Sequence, residues 1–274
     1  MFNQERGVLT PLHQAIIEDD REQVAQLKGS KWHSYPDAHG FTPLELAQLL
    51  GRRQCQDILQ HPNPTIIKVQ LKGAHAPTIL TISEFENNFN IVHRPFLTFP
   101  SYQTLEEVIR NCPYLLRFEQ LMLSSDEREA AYQAQLSSGA TADTCIQWIN
   151  PVLGYGLFSA TDLPENSFVG EYTGVVRGID RQNPDLNAYC FHYPTRFWSF
   201  KYFVIDALRE GNHLRFINHS DQPNLQPLWL VNRGVLHLIF VTNRFINQGT
   251  ELTFNYGSDY WIRRKKFERD LSSH

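Results

Sequence analysis

Apolar positions recur at helical spacing over the first sixty residues; after residue 145 they shorten into strand-length runs broken by Gly, Pro and Asn. Leu12 with Ile16, and Leu44 with Ala47, begin two buried stripes. Each follows a Thr that can cap a helix and a Pro that suits the first helical position. Val24 with Leu27, and Ile58 with Leu59, supply the apolar face of a second helix in each unit. His61-Pro62-Asn63-Pro64 ends this pattern. The β-branched runs 65–71 and 78–82 predict short strands. Thr104 with Glu107 three residues on predicts a helix start, 118–136 reads as helical, and 137–141 as a loop.

From Cys145 onward the texture is that of short strands. Gly154-Tyr155-Gly156-Leu157-Phe158 sets two glycines around an aromatic, a backbone that a ligand can approach closely. The run from Phe168 to Val176 reads as a strand interrupted at a Gly, and Phe203 to Ala207 as another. Two later segments, Arg215-Phe216-Ile217-Asn218-His219-Ser220 and Glu251-Leu252-Thr253-Phe254-Asn255-Tyr256-Gly257, each carry an apolar run to an abrupt polar end. They read as buried strands or turns that reach the rim of a site.

An internal repeat underlies the helical start. Thr10-Pro11-Leu12-His13-Gln14-Ala15 returns as Thr42-Pro43-Leu44-Glu45-Leu46-Ala47, and Gly7 returns as Gly40, a period of 32 or 33 residues. These residues resemble the ankyrin repeat, with the His of the first copy replaced by Glu45 in the second. The resemblance implies a surface for a protein partner; the plainer reading is an element that caps the next domain. Solenoids ordinarily need about three repeats. Residues after Leu59 are therefore expected to cover the open end of the second.

Composition narrows the classes. The chain has 274 residues, 42% of them apolar, enough for a real core, and a formal charge of -4. That balance argues against a protein that holds nucleic acid by broad phosphate neutralisation, and Arg263-Arg264-Lys265-Lys266 is a short basic run. No apolar run approaches the ~20 residues of a membrane span. Cys55, Cys112, Cys145 and Cys190 form no C-x-x-C pair, so no metal site is expected and the thiols read as buried and reduced in a soluble, intracellular protein.

Five motifs in order, Gly154-Tyr155-Gly156, Glu171-Tyr172-Thr173-Gly174, Ile205-Asp206-Ala207, Arg215 to Ser220 with Pro223-Asn224, and Glu251 to Gly257, resemble the SET-domain protein lysine methyltransferases. This resemblance implies a mostly-β SET domain over 141–257 with a knot-like crossing; with the two ankyrin-like repeats over 1–60 and the strands and helices read as a mixed α/β connector over 61–140, the expected fold class is α+β. A helical closing segment without zinc would occupy 258–274. It implies S-adenosylmethionine as the cofactor, S-adenosylhomocysteine as its product, no metal, and a protein substrate with a lysine-bearing tail, histones among them. Gly154, Tyr155 and Gly156 match positions beside the methionine part of the cofactor. Asn218 and His219 match the pair that binds it, and Tyr189 a cofactor-side aromatic. Tyr172 and Phe254 match walls of the lysine channel, and Tyr256 the catalytic tyrosine. Without the family, Tyr172 and Phe254 read as core aromatics and His219 as a hydrogen-bonded structural histidine.

Three departures from the family stand out. Asp221 occupies a common Cys position, and no Cys-rich tail follows Gly257. Asn255 replaces the usual Asp before the tyrosine. No Cys-rich segment precedes the domain. The channel would then be closed by 258–273, with Tyr260, Phe267 and Leu271 on one helical stripe and Trp261 stacking on the adenine. Phe254, which lacks a hydroxyl to retain a water, implies di- or trimethyl product. The alternative function is a scaffold with a catalytically weak SET domain. The pairing of such repeats with a SET domain also resembles bacterial effectors that act inside host cells.

Overall fold

The computed structural model describes residues 8–60, 66–113, 127–180, 182, 185–258 and 260–261, with 127–129 in backbone only. Four short helices come first: α1 (Pro11–Ile17), α2 (Arg21–Leu27), α3 (Pro43–Leu49) and α4 (Arg53–Leu59). Thr10 and Thr42 cap α1 and α3, with His13 and Glu45 reaching back in reciprocal capping boxes. The two repeat positions differ in what else they hold. The His13 ring accepts from the Thr10 hydroxyl at 2.7 Å and donates through Nε2 to the Phe41 carbonyl at 3.0 Å, tying one helix pair to the next.

Glu45 instead meets Arg233 from the far end of the chain, with N–O distances of 2.6 and 3.0 Å. Arg233 also donates to the Gly40 carbonyl at 2.6 Å and lies 4.3 Å from the centre of the Phe41 ring. Burial works against ionisation of Glu45, yet its bonds with Arg233 and Thr42 prevail and hold its carboxyl below the usual range. Residues 86–99 flank α3 and α4: Arg53 binds Glu86 and the His93 carbonyl, Arg94 donates to the Gly51 carbonyl, and the Phe99 amide donates to Leu49. The second helix pair is thus covered from two directions.

The middle segment contributes to sheets that the later chain completes. It holds β1 (Ile67–Gln70), β2 (Thr78–Leu80), α5 (Ile82–Phe89), β3 (Val92–His93), α6 (Tyr102–Arg110) and α7 (Glu127–Ser138). Three boundaries depart from the sequence reading. Thr81 caps a helix rather than continuing a strand, because Glu84 closes a capping box with it. Ser101, not Thr104, caps α6, accepting from the Thr104 amide at 3.1 Å. Helix α7 runs through Ser138, where a loop was expected, and its predicted start at 118 lies outside the described residues.

Eleven strands follow among the described residues: β4 (Thr144–Asn150), β5 (Gly154–Ser159), β6 (Phe168–Glu171), β7 (Val175–Gly178), β8 (Cys190–Tyr193), β9 (Phe203–Asp206), β10 (Glu210–Gly211), β11 (Asn218–His219), β12 (Leu225–Asn232), β13 (Val235–Thr242) and β14 (Thr253–Phe254). They form small sheets in the orders β2-β1-β4-β5, β12-β13-β6 and β7-β9-β8, and β3 pairs with β10. Every residue of β13 is buried, so this strand is the floor of the core. Strands β11 and β14 pair in parallel, Asn218 opposite Thr253 and His219 opposite Phe254, which brings the two late motifs side by side. The architecture is mixed α+β.

Candidate active site

Aromatic side chains from three strands and from the chain just beyond β6 and β14 form one continuous enclosure. Tyr172, following β6, meets Phe191 of β8 at 4.7 Å between ring centres, and Phe191 stacks on Phe254 of β14 at 5.4 Å. Phe254 also touches Phe240 of β13 at 4.8 Å and Tyr256 at 4.6 Å, and Tyr260 closes on Tyr256 at 4.6 Å. Tyr172 is buried, and its hydroxyl donates to the Tyr189 carbonyl at 2.9 Å. Burial pushes that hydroxyl well above the usual phenol range against the opposing charge of Arg215, so it remains a neutral donor. The Tyr256 hydroxyl donates to the Ile217 carbonyl at 2.9 Å, one residue before Asn218.

A polar cluster lies beside this enclosure. Asn218 donates through Nδ2 to Glu251 Oε1 at 2.9 Å and to the Tyr155 carbonyl at 3.4 Å. Gly156 sits against both: a Cβ there would lie 2.7 Å from Ile149 Cδ1, 2.8 Å from Glu251 Oε1 and 3.1 Å from Asn218 Nδ2. Close approach of backbone is therefore the business of Gly156. Gly154 has open space around it and is required for another reason, its positive φ of 72° at the β4–β5 turn. Tyr155 is wedged between Trp148 and Phe89, at 5.1 Å from each.

His219 joins the two halves. Its Nδ1 accepts from the Tyr256 amide at 3.2 Å, so the proton of the neutral ring sits on Nε2, 3.2 Å from Asp221 Oδ1. Trp261 lies against the same ring at 4.9 Å and is 39% exposed. Asn255 accepts from the Gly257 amide at 2.8 Å, a turn bond that Asp or Asn can make equally.

Of the residues expected from sequence, Tyr172, Phe254 and Tyr256 share the aromatic enclosure. Tyr155, Gly156 and Asn218 share the polar cluster, His219 follows Asn218 and meets Tyr256, and Trp261 lies against His219 and Tyr260. Tyr189 carries Arg215 over its ring at 3.9 Å, and its carbonyl takes the Tyr172 hydroxyl. Phe191 and Phe240 were not anticipated, and Arg215 and Glu251, which open the two late motifs, were given no role of their own. Phe267 and Leu271 of the predicted closing helix lie outside the described residues. Among the described residues no group of three or more His, Cys, Asp or Glu could hold a metal, and no helix is long and apolar enough to cross a membrane.

Part of the chain is similar to known proteins. Histone-lysine N-methyltransferase SETD2 of Mus musculus is 40% identical over 109 residues, 38% of this chain and 4% of that protein. Histone-lysine N-methyltransferase Su(var)3-9 of Drosophila melanogaster is 38% identical over 114 residues, 38% of this chain and 18% of that protein. The chain spans less than a fifth of either relative. The structure of ATXR5 in complex with histone H3.1 mono-methylated on R26 superposes with a TM-score of 0.53 at 17% identity, over 65% of this chain and 86% of that one, a likeness of fold. Residues 154–257, which carry both halves of the site, match the SET domain.

Proposed function

We propose that the protein is an S-adenosylmethionine-dependent protein lysine N-methyltransferase. The observation that carries this reading is the unbroken run of rings from Tyr172 to Tyr256, joined through His219 to the polar cluster at Gly156 and Asn218. Bound at that cluster, the cofactor supplies an electrophilic methyl group. Tyr155, Gly156, Asn218 and His219 would hold it, and Gly156 fits the task because a Cβ there would displace the Asn218 and Glu251 side chains that shape the cluster. Trp261, which lies against His219, would cover an aromatic part of the ligand.

The chain's own residues answer the main difficulty of the reaction. A free lysine amine has a pKa of about 10.4 and is protonated at neutral pH, whereas only the neutral amine has a lone pair to attack. Desolvation by Tyr172, Phe191, Phe240 and Phe254 disfavours the ammonium form. Tyr256 orients the nitrogen; its hydroxyl is held by the Ile217 carbonyl, and alignment of reactants contributes up to about 7–11 kcal/mol in favourable cases. Burial of the Tyr172 hydroxyl as a neutral donor keeps a phenolate, which would favour the ammonium, out of the channel.

Several finer features belong to the same proposal. The two helix pairs are ankyrin repeats available to a protein partner, and their second copy is already engaged by Arg233. The parallel pairing of β11 with β14 accords with a knot-like crossing. Histone tails are the leading substrate class, and a bacterial effector acting in a host cell is a reading of architecture alone. Incubation of the purified chain with labelled S-adenosylmethionine and core histones or cell lysate tests the proposal, with mass spectrometry on the products. Di- or trimethyl-lysine is expected because Phe254 lacks a hydroxyl. Absence of transfer together with absence of S-adenosylhomocysteine binding would sink the reading, and monomethyl product alone under excess cofactor would overturn the assignment of product degree.

A further inference from the structure

The carboxylate of Glu251 is the point on which three separated segments converge. Its backbone is fixed on both sides: it bridges Phe158 of β5, and its carbonyl takes the Asn224 side-chain amide at 2.7 Å. Asn224 in turn accepts from the Thr253 amide at 2.8 Å, and the Leu252 amide donates to Leu157 at 2.7 Å. With so little freedom in the main chain, the side chain is aimed at Asn218, and Oε1 accepts from Nδ2 at 2.9 Å. Gly156 makes room for this, since a Cβ there would meet Oε1 at 2.8 Å.

The consequence concerns which way the Asn218 carboxamide faces. One amide hydrogen goes to Glu251 and the other toward the Tyr155 carbonyl at 3.4 Å. A flipped amide would set its oxygen against two acceptors, so the flip is excluded. Asn218 Oδ1, which has no partner among the described residues, is then presented as an acceptor for an N–H donor. We infer that Glu251 is a positioning residue, holding Asn218 so that its oxygen receives an N–H group of the cofactor. This rests on the methyltransferase reading above.

Calorimetric binding of S-adenosylhomocysteine to the full chain tests it. Glu251→Ala is expected to weaken binding about tenfold, whereas Glu251→Gln, which keeps an acceptor oxygen, stays within about threefold of the wild type. The KM for S-adenosylmethionine should rise with Glu251→Ala while kcat at saturation holds. Added to Asn218→Ala, Glu251→Ala should have little further effect, because the two act as one unit. Wild-type binding by Glu251→Ala, a Gln variant as weak as the Ala variant, or additive losses would each overturn the inference. Should Glu251→Ala not fold, as judged by thermal unfolding, Glu251→Asp replaces it; that variant keeps the charge but withdraws the oxygen, and undiminished binding would overturn the proposal. Failure of the wild type to bind S-adenosylhomocysteine would instead strike the methyltransferase reading itself.

Discussion

The two halves of the site are held by different physics. The aromatic half consists of rings 4.6–5.4 Å apart drawn from β8, β13, β14 and the segment after β6, and its cohesion is dispersion and apolar burial. The polar half consists of directional bonds at Asn218, Glu251 and Gly156, where a displacement of a few tenths of an ångström removes a partner. Non-directional contacts degrade gradually when a side chain changes. Hydrogen bonds around a crowded glycine fail at once. Chemistry on the amine and grip on the cofactor should therefore separate under mutation.

Tyr256→Phe is the largest test. Removing the hydroxyl held by Ile217 should lower kcat by roughly a hundredfold or more, with S-adenosylhomocysteine binding within about twofold of the wild type. Equal loss of both would merge the two halves. The mirror experiment is Gly156→Ala, whose Cβ meets Ile149, Glu251 and Asn218. It should weaken cofactor binding about tenfold or more by calorimetry, while the folded state persists in near-ultraviolet circular dichroism.

Acid offers a smaller, graded effect. Desolvation, reinforced by His93 at His213 and by Arg53 at His93, lowers His213 to about 3 and His93 to about 4. Because the folded state binds protons more weakly than the unfolded chain, stability is complete above about pH 6.5 and is lost as pH falls through 4 toward 3. His213 begins the turn that leads into Asn218, so its replacement by Leu should flatten the fall of the unfolding midpoint between pH 6.5 and 4. The smallest effect is expected at Asp221, which is 96% exposed on its side chain. Asp221→Ala should lower kcat about twofold to fivefold, and Asp221→Asn, which still accepts from His219 Nε2, should restore it.

Legibility from sequence followed the range of the interactions involved. Capping boxes at Thr10 and Thr42 are local, and their residues predicted α1 and α3 correctly. Thr81 and Glu84 form the same box, but the β-branched run before them read as strand and concealed it. The assembly of β1 with β4 joins segments more than seventy residues apart, which no local pattern announces. Glu45 illustrates the same limit: its type was visible as a departure from the repeat, its partner Arg233 was not.

Local patterns in the chain thus determined the capped helices and short strands, because their signals lie within a few residues of one another, and the five motifs in order carried the resemblance that implies which segments meet at the site. Folding in three dimensions settled the rest. It brought Phe191 and Phe240 into the enclosure, turned Tyr189 toward Arg215, assigned the close approach to Gly156 rather than Gly154, and set Glu251 against Asn218. Each of these depends on strand register across distant sequence, where a slip of one residue would send every side chain to the opposite face.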